Sequence, residues 1–390
     1  MMIDENLRLD NYDYKLNKKS IANYPCEKRD ESKLLVYKNR KINSIKFLDI
    51  LNHIPNKSTI ILNDSRVVNS RFFFSNSNKK IIEILVTNIF NIRKEKKKII
   101  EVEGLIGNSK KWKEDEILIS KKNSITLEVQ KKNERIFFSW NTKNSWEEIL
   151  DIFGSIPLPP YIKREVEDND YINYQTVYSK VNGSIASPTA GLHFSKNLIN
   201  KLKDSHTVDT ITLHVGIGTF KPINTERVKD HRMHSENITI SKNNISNIKK
   251  SENVVAVGTT SLRTLESIYY LSLKILNNED ISFIEQDIYL NNRTEISREE
   301  ACEIVLNYME KKRIDKINFK SSLFIIPGFR FRFCDQLITN FHYPKSTLIL
   351  LVAAFIGEDW RKVYNFALKN NYRLLSYGDS SILYRNDKNW

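Results

Sequence analysis

Cysteine is scarce in this 390-residue chain: Cys26, Cys302 and Cys334 form no CxxC pair and leave an odd count. That usage argues against a disulfide or zinc framework and fits a reducing compartment. Long apolar runs are also missing. The longest, Leu348 to Ile356, falls well short of the roughly 18 residues needed to cross a bilayer, and the N-terminus is acidic and polar, so a soluble cytoplasmic protein is expected. No GxGxxG-type fingerprint occurs, which withdraws support from a dehydrogenase without excluding a methyltransferase. His231 and His234 of "HRMHSE" have i, i+3 spacing and, with Glu236, mimic a metal site, but no HExxH helix or cysteine set accompanies them, so no metal is expected. Internal repeats and a low-complexity tail are likewise absent.

What the chain has in excess is positive charge, +14 at pH 7 with a pI near 9.4. A basic surface usually meets phosphates, yet the chain is also rich in Lys, Asn and Ile, the mixture that AT-rich codon usage produces. Both origins stay open on composition alone. The run "RKEKKK" at 93–98 lies between alternating apolar stretches and reads as a solvated hairpin tip.

Three textures follow one another. Residues 1–62 mix helical and extended patterns and end in the buried-strand signal "STIILND". Residues 63–153 carry short β-rich runs, "IIEILVTNIF", "KIIEVEGLIG", "DEILIS", "SITLEVQ" and "RIFFSW", separated by Asn, Lys and Gly turns, the pattern of a small all-β barrel. After the proline-rich connector "FGSIPLPPYIKRE", strands alternate with helices. The expected architecture is a discontinuous α/β domain, 1–62 with 154–390, in which strand-to-helix turns form the site, and an inserted β-barrel domain at 63–153.

Turns of one format recur in the last region. "SPTAGLHFSKNLI" at 187–199 places Pro188–Gly191 in a turn and His193 at its exit, with Ser195 as N-cap of a helix burying Leu198, Ile199 and Leu202. "VDTITLHVGIGTF" puts Ile211, Leu213 and Val215 on one strand face and His214 on the other, before Gly216 and Gly218. "NVVAVGTTSLRTLESIYYL" runs from a strand through Gly258 into a helix that Thr260 or Ser261 caps, and "DQLITNFHYPKSTLILLVAAF" from Asn340 and His342 to a helix capped by Ser346. In open α/β sheets such turns gather around one crevice, where free N–H groups face the ligand. A lone histidine beside a strand is more often structural; three in Gly, Thr or Asn turns shift that balance.

These stretches resemble the S-adenosylmethionine:tRNA ribosyltransferase-isomerase family of queuosine biosynthesis. The similarity runs in order through "YDYKL", "RDESKLL", "LNDSRV", "YQTVYSKVNGSIASPTAGLHF", "TLHVGIGTF", "HRMHSE", "VGTTSLRTLES", "IIPGF", "LITNFHYPKSTLILLVAAF" and "YRLLSYGDSS". Departures are mild: Ser65 and Ser195 stand where threonine is usual, Ser187 where alanine is usual and Tyr343 where leucine is common.

The resemblance implies transfer and isomerisation of the ribosyl part of S-adenosylmethionine onto 7-aminomethyl-7-deazaguanine at a tRNA wobble position, giving epoxyqueuosine, adenine and methionine. S-adenosylmethionine is then a consumed substrate, no cofactor is needed, and a monomer is expected. A base must remove an acidified ribose proton and an acid must neutralise departing adenine. His193, His214 and His342 are candidates, with Asp64 and Asp379 as partners orienting an imidazole. Thr189, Gly191, Gly216, Thr219, Thr259, Arg263 and Asn340 sit in or near turns suited to the methionine carboxylate and ribose hydroxyls. Arg66, Arg71 and Lys345 are candidate phosphate contacts, and Tyr343 and Tyr377 candidate stacking rings. The alternative is a paralogue that keeps the scaffold and binds RNA without turnover.

Overall fold

The computed structural model describes residues 7–94, 98–133, 135–220, 222–292 and 294–385. Among them, ten strands form one mixed sheet. Its centre is four parallel neighbours, Thr207–Leu213, Ser58–Asn63, Asn253–Val257 and Gln336–Asn340. Apolar residues fill the middle of these strands, as at residues 60–62, 254–257 and 337–338, because both faces are covered there. Leu34, Val36, Ile60, Leu62, Val255, Val257 and Ile338 pack with Leu198, Ile199 and Leu202 of helix Lys196–Ser205. The alternate residues Leu35, Ile61, Val254, Ala256 and Leu337 pack on the other side, with helices Thr259–Leu276 and Thr347–Ile356. The period of two along each strand therefore assigns every side chain to one of two cores.

Strand Ser380–Tyr384 runs antiparallel to Gln336–Asn340 and parallel to Lys33–Lys38. Asn340 is paired with Ser380, and Ser380 with Leu34. The beginnings of these two strands thus share the edge where the four central strands end.

The serine caps follow the sequence reading. Ser195 accepts from Leu198 N–H and Ser346 from Ile349 N–H. The expected cap by Thr260 or Ser261 is not what the structure has. Helix Thr259–Leu276 starts earlier, at Gly258, whose φ of 89° is favoured by glycine, and no side chain caps it. Both hydroxyls lie inside the first turn, and Ser261 is buried.

The second sheet has six antiparallel strands, from Arg71–Ser75 through Arg135–Trp140 to Leu118–Lys122. It curls until those two edge strands lie against each other, giving a barrel-like form around Phe72, Ile84, Val102, Val129 and Phe138. A helix, Trp146–Phe153, closes this core with Trp146, Ile149, Leu150 and Phe153. The hairpin Ile81–Lys94 and Lys98–Gly107 is present; residues 95–97 of the expected tip lie outside the described residues. No described helix is long and apolar enough to cross a membrane.

Candidate active site

At the shared edge lies a cavity of about 640 Å³, walled by segments far apart in sequence. Gly258, Thr259 and Thr260 bring the uncapped start of an 18-residue helix to it. First-turn N–H groups have no partner within their helix, and the helix dipole adds positive potential there, so this wall suits an anion. Thr189, Thr219 and Ser187 add hydroxyls, and Val215, Phe341 and Leu375 add apolar surface. Among the described lining residues there is no carboxylate.

Of the three candidate histidines, His342 lines the cavity; His193 and His214 do not. His342 follows strand Gln336–Asn340, its Nε2 2.8 Å from Thr339 Oγ1, and its other ring nitrogen has no partner among the described residues. Its backbone is held on both sides: Tyr14 Oη donates to its carbonyl at 2.6 Å, and its N–H donates to Tyr364 Oη at 3.0 Å. Burial pushes its imidazolium pKa down to about 3, so the ring is neutral at neutral pH.

His193 sits behind this wall. Asn340, which lines the cavity, directs Nδ2 toward the carbonyls of Leu375 and Ser376 at 3.1 and 3.4 Å, which fixes that end of the amide as the donor. The same Nδ2 is 3.2 Å from His193 Nε2, so Nε2 accepts and Nδ1 carries the proton. Nδ1 then donates to Ser32 Oγ at 2.8 Å, whose own hydroxyl donates to the Arg29 carbonyl. Burial, aided by the Arg373 and Arg29 charges, lowers the His193 pKa to about 3. A neutral His193 therefore orients Asn340, which touches the cavity directly.

The other expected residues take different places. His214 packs against Gly183, its Nδ1 buried without a hydrogen-bond partner among the described residues; burial lowers its pKa while the Asp64 charge opposes the shift. Asp64 accepts from Thr212 Oγ1 at 2.7 Å. Asp379 accepts from the N–H groups of Lys33 and Arg373 and pairs with the Arg373 guanidinium. Among the described residues, neither carboxylate hydrogen-bonds to a histidine. Arg263 is buried in a 2.7 Å ion pair with Glu236, away from any docking anion. Burial raises the Glu236 pKa, and the charge of Arg263, with the His234 ring 3.4 Å away, more than offsets that. His231 meets Phe324 edge-on, and among the described residues no group of three His, Cys, Asp or Glu is placed for a metal.

Gly191 is a packing glycine, because a Cβ there would meet Tyr178 Oη. Gly216 has open space beside it, and its N–H points to Glu236 at 3.4 Å. Arg66 is exposed on strand Ser65–Val67. Arg71 donates to the Leu158 carbonyl and pairs with Glu83. Tyr377 is buried, its hydroxyl bound to Asp170, and offers no free ring face. Lys345 is neutralised by Asp10 and Asp13. Tyr343 alone of the nucleic-acid candidates lines the cavity. Sequence reasoning missed Lys18, Tyr161, Lys163 and Ser376 on the same cavity. The proline-rich connector carrying Tyr161 and Lys163 read only as a stiff link.

The family model described as queuosine biosynthesis protein matches residues 9–383. The chain is similar to the S-adenosylmethionine:tRNA ribosyltransferase-isomerase of Finegoldia magna, 36% identical across 97% of this chain and 98% of that protein. It is 37% identical to the Buchnera aphidicola protein of the same name, over 97% and 96% of the two chains. A solved S-adenosylmethionine tRNA ribosyltransferase from Thermotoga maritima aligns with 95% of this chain and 99% of its own, at 24% identity and a TM-score of 0.47. On the family model and the curated relatives, the chain belongs to the S-adenosylmethionine:tRNA ribosyltransferase-isomerase family of queuosine biosynthesis enzymes.

Proposed function

We propose that this chain transfers and isomerises the ribosyl part of S-adenosylmethionine onto 7-aminomethyl-7-deazaguanine at the tRNA wobble position, yielding epoxyqueuosine, adenine and methionine. The observation that carries the reading is the placement of the His342 imidazole on the wall of the same cavity that receives an uncapped helix start. The sulfonium acidifies the C5′ proton of the ribose, and His342 accepts it as general base. The methionine carboxylate docks on the N–H groups at Thr259 and Thr260, and Thr189, Thr219 and Asn340 bind the ribose hydroxyls. Ring faces and hydroxyl oxygens near the sulfonium serve a cation without a carboxylate on the wall. The attacking amine belongs to the RNA, so no covalent enzyme intermediate is required.

Incubating the purified protein with S-adenosylmethionine and tRNA bearing the aminomethyl base should release adenine and add the ribosyl mass to that nucleoside. His342→Ala should lower adenine release by roughly 100-fold or more, in line with loss of a general base. RNA binding by the wild-type protein with neither product would instead identify a non-catalytic RNA-binding paralogue.

A further inference from the structure

We propose that Lys18, Lys163 and the Tyr161–Tyr343 pair form an RNA-docking rim, the lysines taking backbone phosphates and Tyr343 stacking one unstacked base. The proposal rests on the ribosyl-transfer reading above and adds to it where the RNA chain lies. Lys18 and Lys163 are the charged residues among the described lining of the cavity, and both are exposed. No described carboxylate pairs with either, in contrast to Lys345, which lies between the lining residues Pro344 and Ser346 and is paired with Asp10 and Asp13. Two ammonium groups without a described carboxylate partner, on a cavity whose described lining holds no carboxylate, attract a polyanion.

Exposed lysines alone are ordinary surface. The tyrosines beside them are not. Tyr161 is pinned through its hydroxyl to Ser376 Oγ, and the Tyr343 ring lies over it with centroids 6.3 Å apart and planes 28° from parallel. Tyr343 nevertheless keeps 45% of its surface exposed. An anchored ring backing a half-exposed one is a preformed platform, and RNA loops are recognised by stacking splayed bases on such rings. Tyr343 also immediately follows His342, so a base stacked there brings its sugar and substituents to the imidazole. A planar base with phosphates on either side satisfies both the ring and the ammonium groups.

The test measures RNA affinity at several salt concentrations for wild type, the double variant K18A/K163A, Y343A and Y343F. The probes are tRNA with the aminomethyl base at the wobble position and the same transcript with guanine there. K18A/K163A should bind both probes about tenfold more weakly and lower the slope of log Kd against log salt by about two, one for each phosphate that no longer meets an ammonium group, because phosphate contacts carry no base information. Y343A should weaken binding by roughly tenfold, and Y343F, which keeps the ring face, by about twofold or less. Thermal melting confirms that the surface variants remain folded. If wild type binds RNA and releases adenine while K18A/K163A keeps both affinity and slope, the rim is overturned and the enzymatic reading stands. If wild type binds neither probe, both fall.

Discussion

At the scale of single residues, the roles of the histidines separate. His193 acts through Asn340, so His193→Gln, whose amide can still accept from Asn340 and donate to Ser32, should retain most of the adenine-release rate, whereas His193→Ala should lower it about tenfold. Equal loss in both variants would point to proton transfer by His193 itself. His342 offers a second check. With its pKa near 3, it is already neutral throughout the range in which an ordinary histidine titrates, so kcat/KM for adenine release should show no rising limb near pH 6.5. A limb centred there would mean that the ring titrates as if in water. The sequence placed all three histidines in turns and could go no further. Whether a ring faces the cavity or the packing behind it depends on neighbours distant in sequence, such as Ser32 for His193 and Gly183 for His214.

Elements were more legible than side-chain directions. Ser195, Ser346 and the alternating barrel runs announce themselves through caps and periodicity. Helix Trp146–Phe153 was overlooked although Ser145 and Glu148 form a capping box, the sequence signal that marks a helix start. The opposite error occurred at Gly258, where a hydroxyl was expected to cap and the chain instead leaves the first turn open. The glycine-rich loop after strand Thr207–Leu213 carries its own test. A Cβ at Gly218 would sit 2.3 Å from His234 Nδ1, and that ring lies 3.4 Å from Glu236, which is anchored by Arg263. Gly218→Ala must therefore displace the His234 ring and strain the loop that presents Thr219. The KM for S-adenosylmethionine should rise about tenfold with little change in melting temperature, and His234→Ala in the same chain should restore part of the loss, read by steady-state kinetics.

At the scale of the whole molecule, two buried neutral imidazoles tie folding to acidity. His193 and His342 have folded pKa values near 3, against about 6.5 when unfolded, so between those values the unfolded chain binds more protons. Their contribution is fully present above about pH 6.5 and is lost as the pH falls toward 3. Urea midpoints measured at pH 7, 5 and 4 should fall in that order, and less steeply when His193 is replaced by glutamine. The cavity also draws on both ends of the described chain. Ile21 bridges to Leu374, and Leu375 and Ser376 line the cavity together with Lys18 and Asn23. During synthesis, then, a ribosome that has not yet delivered Ser376 holds a pocket with one side open.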